Sequence, residues 1–107
     1  MANIKKMDES LTIEELKDKH GKLFLISVPM SDDTITELVV KKVNRRDFDA
    51  GSKILQKNEM QGVEYFLKAL TVKGDVEAVI KDFDALRAAA ELIIEVITVK
   101  VGNVKAL

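Results

Sequence analysis

The apolar positions in the last quarter of the chain follow a helical spacing. After Asp82, apolar residues recur every three or four positions: Leu86, Ala90, Ile93, Ile97, Val101 and Val104. This spacing predicts one face of a helix that Asp82 caps. Four more positions in the stretch are also apolar: Leu92, Ile94, Val96 and Val99. The face is therefore wider than the stripe of about 100° that a surface helix needs. Such a helix is either enclosed by its own domain or shared with another chain.

Part of this segment also has the pattern of a strand. Ile97, Val99 and Val101 alternate with Thr98 and Lys100, and β-branched residues weaken helix propensity. The length of the segment and the alanines at 88–90 favour a helix, and both structures remain open for residues 92–101. Seven residues of the wide face are candidates for a partner interface: Leu86, Ile93, Ile94, Val96, Ile97, Val101 and Val104. The alternative for them is a central core helix.

The front of the chain predicts a helix followed by a hairpin. Thr12 and Glu15 have capping-box spacing, and Gly21 follows at the position of a C-terminal glycine. Residues 22–28 and 34–43 are rich in strand formers and are separated by a turn that starts at Pro29, which predicts two antiparallel strands. Neither strand has a cleanly polar face, so we expect helices on one side of the hairpin and partial cover on the other.

The middle of the chain predicts two more helices. Asn44 is a suitable N-cap for a helix that reaches Lys57, and Asn58 caps a second helix that stops before Gly74. Residues 76–81 are ambiguous. The fold class expected is α+β: a two-stranded antiparallel hairpin packed with about four helices, the last one longest. One domain is expected over residues 11–107, after a flexible N-terminal tail at 1–10.

Composition and charge narrow the function classes. The chain has 107 residues, of which 47% are hydrophobic and 33% charged, with a formal net charge of -1. This near balance argues against a dedicated nucleic-acid binder, which is normally clearly basic. Without cysteine, disulfides and thiolate metal sites are excluded. No apolar stretch predicts a signal peptide or a membrane span.

Three polar groups could carry chemistry, but each has a simpler structural interpretation. His20 lies at a predicted helix C-terminus, where an imidazolium is favourable. Asp32 and Asp33 occupy a turn without the alternating carboxylates of a calcium loop. The basic cluster Lys41, Lys42, Arg45 and Arg46 could grip a phosphate, but Asp47 and Asp49 offset its field. We therefore predict no catalytic, cofactor-binding or metal site.

Four pieces of sequence follow one another in a fixed order and spacing from about residue 11 to the end. They are residues 13–17, residues 19–22 leading into the first strand, Val40–Lys42 followed by Arg45 and a helix, and the Gly74–Asp75 turn before a terminal helix that closes on residues 104–107. In this order they resemble a family of small phage and prophage proteins, the tail assembly chaperones.

The resemblance implies a non-enzymatic protein without a cofactor. It implies that the protein assists tail assembly in the cytoplasm of a bacterial host by binding other phage tail or virion proteins. The alternative is a structural virion protein or a self-assembling subunit that uses the same apolar face in a homo-oligomer. No membrane association is expected, and the charge balance speaks against nucleic acid as a partner.

Overall fold

The computed structural model describes residues 12–98 and 105–107, and these form an α+β fold. Five helices and a small antiparallel sheet follow one another along the chain. In order they are α1 Ile13–His20, β1 Leu23–Pro29, β2 Ile35–Lys41, α2 Arg45–Lys57, α3 Glu59–Leu70, β3 Thr71–Lys73, α4 Val76–Lys81, α5 Phe83–Ile97 and β4 Lys105–Ala106. The α+β class and the long last helix are as predicted, and α5 is the longest helix described.

The predicted hairpin forms the centre of the sheet. β1 and β2 pair antiparallel from Leu23 opposite Lys41 to Pro29 opposite Ile35. The prediction of only two strands was wrong, because β3 adds to β2 and the two-residue β4 adds to β1. The strand order is β3-β2-β1-β4. The hairpin is therefore extended on both sides, over two residues of β1 and two residues of β2.

Side-chain caps fix the helix starts at the predicted residues. Thr12 and Glu15 form the complete capping box of α1, and Gly21 follows α1 with φ 84°. The side chains of Asn44, Asn58 and Asp82 each accept the backbone N–H three residues on, at the starts of α2, α3 and α5. Each bond satisfies a donor that the first turn of a helix leaves without a partner.

The number of helices and the end of the last helix differ from the prediction. Residues 76–81, which were ambiguous, form α4, so the described residues contain five helices. The third helix ends at Leu70, before Gly74 as predicted, and Thr71–Lys73 then pairs with β2. The last helix ends at Ile97, where Thr98 donates from its backbone N–H and its hydroxyl to the Ile94 carbonyl. The predicted closing helix at 104–107 is wrong at Lys105–Ala106, which is a strand. The predicted tail at 1–10 lies outside the described residues.

The two faces of the sheet carry separate clusters of buried side chains, as the apolar pattern of both strands predicted. The inner face packs against α3 and α5 and contributes five residues to the main core: Phe24, Ile26, Val28, Leu38 and Val40. The outer face forms a small cluster of Leu23, Val39 and Val72 with Leu16 of α1. Since α1 has only eight residues, it covers only part of this outer face.

Helices α2 and α3 approach closely at two glycines. A Cβ atom on Gly51 would lie 2.3 Å from Cζ of Phe66, and one on Gly62 would lie 2.6 Å from the Leu55 side chain. Tyr65 of α3 also donates a 3.0 Å hydrogen bond to Asp47 of α2. These contacts hold α2 against α3, and α3 in turn packs against α5 and the sheet.

Candidate protein-binding groove

The outer face of the sheet contains a groove beside α1. The capping box sets the direction of α1, whose residue Leu16 is buried against Leu23 of β1. The other end of the chain returns to the same strand, because Leu107 donates its backbone N–H to the carbonyl of Leu23 over 2.9 Å. Together these two chain segments form the walls, and the central strands form the floor.

The groove has a volume of about 260 Å³ and a mostly apolar lining. Its lining residues come from five elements or their ends: Ile13, Leu25, Glu37, Val39, Lys73 and Leu107. Pockets for drug-sized ligands and cofactors span roughly 300–1,000 Å³, whereas an apolar cavity of about 150 Å³ holds one benzene ring. The groove therefore has room for one or two apolar side chains of a partner.

Two polar side chains stand at the rim of the groove. Glu37 of β2 is exposed, and Lys73 of β3 is half-buried on the neighbouring strand. Apolar walls with a few polar groups at the edge give a bound segment both burial and a preferred orientation. This arrangement suits recognition of a peptide segment better than chemistry on a small molecule.

The structure places the predicted interface residues of α5 in the interior. Leu86, Ile93, Val96 and Ile97 are buried in the main core, and Ile94 is half-buried against it. The other two, Val101 and Val104, lie outside the described residues. The wide apolar face is explained by its surroundings, since α5 contacts α3, α4 and β1. For the buried positions the structure favours the core alternative over an exposed interface.

Asp32 of the hairpin turn and Asp82 at the start of α5 are held by hydrogen bonds. Asp32 Oδ1 accepts from the hydroxyl of Thr34 at 2.6 Å and from its backbone N–H at 3.1 Å, and these bonds lower the pKa of Asp32. Asp82 Oδ2 accepts from the backbone N–H and hydroxyl of Ser31 at 3.0 and 2.8 Å, which lowers the pKa of Asp82. Both carboxylates therefore stabilise turns and caps, as the simpler interpretation predicted.

The basic cluster lies where β2 ends and α2 begins. Lys41 is the last residue of β2, and Arg45 and Arg46 open α2. Arg45 is 3.8 Å from Asp49 in an exposed pair, so this contact contributes little to stability. In the same region, the hydrogen bond that Tyr65 donates to Asp47 raises the pKa of the phenol.

The described part of the chain holds no group of three or more acidic, histidine or cysteine side chains that could bind a metal ion. His20 is the last residue of α1, where the sequence placed it. Among the same residues, no helix is long and apolar enough to cross a membrane.

The groove itself was not predicted from the sequence. Leu25 and Val39 were assigned to the correct strands, but the groove also needs β3, which was not predicted, and Leu107, which was expected to lie in the terminal helix. The alternation of Thr71, Val72 and Lys73 before Gly74 was the available signal for β3.

Comparison with known proteins gives no match to a family model, to a curated protein or to a solved structure.

Proposed function

We propose that this is a non-enzymatic phage or prophage protein that assists tail assembly by binding other tail proteins. The observation that carries the proposal is the apolar groove on the outer sheet face, together with the order of sequence elements described above. The occupant is a segment of a tail protein that inserts one or two apolar side chains between Ile13, Leu25 and Leu107.

The size and chemistry of the groove support a protein partner. A floor of Leu25 and Val39 offers burial worth about 25 cal/mol per Å² of apolar area, which favours aliphatic or aromatic side chains. At the rim, the exposed carboxylate of Glu37 can accept a hydrogen bond from a polar group beside the inserted side chains.

Binding of the tail-tube and tape-measure proteins encoded beside this gene tests the proposal directly. Calorimetry with the purified full chain should show binding of at least one of them. Leu25→Ser should weaken that binding about tenfold or more, because it removes part of the apolar floor. Ile13→Ser is a second variant on a different element, which keeps the test valid if one substitution destabilises the fold.

Ile54→Ser is the matched control, because it also removes a half-buried apolar side chain but lies on α2, outside the groove. It should leave binding of the tail protein unchanged. Absence of binding to both tail proteins, or equal binding by wild type and both groove variants, contradicts the proposal.

The composition of mature particles distinguishes assistance from a structural role. A protein that only assists assembly should be absent from purified particles, as measured by quantitative mass spectrometry. A fixed number of copies per particle would instead support the alternative of a structural virion subunit.

A further inference from the structure

The two ends of the central hairpin carry opposite charges. At one end lie four exposed cations, hereafter the basic end: Lys22, Lys42, Arg45 and Arg46. Lys42 donates its backbone N–H to the carbonyl of Lys22, which holds these two residues side by side, and the arginines follow at the start of α2. Asp47 and Asp49 are the acidic residues nearby, and the cations outnumber them.

The other end is the hairpin turn together with the start of α5. Four acidic residues lie in these two segments, hereafter the acidic end: Asp32, Asp33, Asp82 and Asp84. The hydrogen bonds between Ser31 and Asp82 join the turn to the helix start. Lys81 and Arg87 are the cations on the adjoining helices, and the carboxylates outnumber them.

The ends are far enough apart to act as separate surfaces. The paired strands run from Leu23 opposite Lys41 to Pro29 opposite Ile35. Six residue steps in a strand cover roughly 20 Å at about 3.3 Å each. This separation exceeds the Debye length of about 8 Å at physiological ionic strength, so the field of one end does not cancel that of the other.

The large apolar side chains that stay exposed among the described residues lie at these same ends. Ile35 is 59% and Phe83 62% exposed, and both lie at the acidic end, one in β2 beside the turn and the other in the first turn of α5. Phe48 is 39% exposed in the first turn of α2, next to Arg45 and Arg46. Arg87 lies 5.9 Å from the centre of the Phe83 ring, and Asp47 and Asp49 flank Phe48 in the sequence, so each of these rings has charges of both signs beside it. The charges of the whole end still have an excess of one sign, which favours a partner surface with the opposite excess.

We infer that copies of this chain associate head to tail, with the basic end of one copy against the acidic end of the next. Contact between two like ends would place charges of the same sign together, which is unfavourable. Opposite ends bring Phe48 of one copy towards Phe83 and Ile35 of the other, with cations facing carboxylates around them. A contact between two different surfaces of the same chain propagates into rings or filaments.

The surface used here differs from the groove, so the two proposals can fail independently. Light scattering over a range of concentrations, at roughly 0.01 M and 1 M salt, tests self-association. The mean mass of the wild type should rise with concentration at low salt and return to that of a monomer at high salt. A mass that stays monomeric at low salt, or an oligomer unaffected by salt, would overturn the inference.

Two neutralised variants identify the surfaces. Lys42→Gln with Arg45→Gln removes charge from the basic end only, and Asp33→Asn with Asp84→Asn removes it from the acidic end only. Neither pair disturbs the hydrogen bonds of Asp32 or Asp82. Each variant alone should remain monomeric where the wild type associates, with its fold verified by circular dichroism.

An equimolar mixture of the two variants is the decisive measurement, because each variant keeps one intact end. The mixture should form dimers and nothing larger, since the two neutralised ends stop further growth. Lys53→Gln and Glu91→Gln, exposed in the middles of α2 and α5, are controls that should associate like the wild type. A mixture that stays monomeric, or neutralised variants that associate like these controls, would overturn the head-to-tail arrangement.

Discussion

The two faces of the sheet share the same strands but differ in how they are covered. Adjacent residues of β1 show the contrast, because Ile26 is fully buried in the main core whereas Leu25 is half-buried and lines the groove. The inner face packs against the long helices α3 and α5, and among the described residues the outer face is covered by α1 and Leu107. Cover by long helices makes a stable core, and incomplete cover leaves apolar surface that is available for binding.

The largest loss of stability is expected where a charge is placed in the main core. Ile93→Asp should destabilise the fold by about 5 kcal/mol, because Ile93 has no exposed surface and the carboxylate would be buried without a partner. Since typical domains have about 5–15 kcal/mol of stability, the variant should be largely unfolded by circular dichroism. Ile35→Asp, at an exposed isoleucine, should cost less than about 1 kcal/mol. Equal losses of stability in Ile93→Asp and Ile35→Asp would contradict the contrast between the closed main core and the exposed positions of the sheet.

Truncation of neighbouring residues on β1 sharpens the comparison of the two faces. Ile26→Ala should cost about 3 kcal/mol, because it leaves a cavity between the sheet and the helices. Leu25→Ala should cost about 1 kcal/mol, because part of its side chain is already in contact with solvent in the groove. Urea unfolding of both variants measures the difference. If Leu25→Ala cost as much as Ile26→Ala, the outer face would be as closed as the inner one.

A substitution that adds volume, instead of leaving a cavity, tests the contact between α2 and α3. Gly51→Ala should cost roughly 1–3 kcal/mol by forcing the Phe66 ring to move, less up to about 1 kcal/mol of gained helix propensity. In the background of Phe66→Leu, the same substitution should cost less, because the clashing ring is gone. Thermal unfolding of the double-mutant cycle measures this coupling. Additive effects would show that α2 and α3 are not in close contact here.

The smallest effect on stability is expected at the contact between the hairpin turn and the start of α5. Hydrogen bonds from Ser31 lower the pKa of Asp82 from its ordinary value of 3.8. A carboxyl whose folded pKa is depressed stabilises the fold above about pH 4, and this contribution is lost as the pH falls through the lowered pKa. Asp82→Asn should remove that pH dependence in urea titrations between about pH 5 and 2. An unchanged acid slope in Asp82→Asn would contradict this role.

The local features of the fold could be predicted from the sequence. Caps at Thr12, Asn44 and Asp82 involve side chains and backbone groups only three residues apart, so their spacing is visible without a structure. The hairpin was predictable for the same reason, because its strands are joined by a short turn. The wide apolar face of the last segment correctly indicated either enclosure or association, and contacts of α5 with α3, α4 and β1 account for its buried residues.

The non-local features could not be predicted in this way. Thr71–Lys73 is too short to outweigh the helical pattern before it, and it becomes a strand only because it pairs with β2. The groove depends on Leu107 returning to Leu23, a contact between distant parts of the chain. Single-sequence patterns record periodicity within a segment, so they indicated the apolar residues but not which of them would line an open surface.

The contact between Ser31 and Asp82 also has a consequence for the order of folding. It joins residues 51 positions apart, so closing this loop loses more chain entropy than forming the hairpin or any single helix. Such a contact is expected to form after the rate-limiting step, when α5 is already docked on the sheet. Ser31→Ala should then accelerate unfolding in stopped-flow experiments, while the refolding rate stays nearly constant. The contact between the turn and α5 would thus slow unfolding without being part of the folding nucleus.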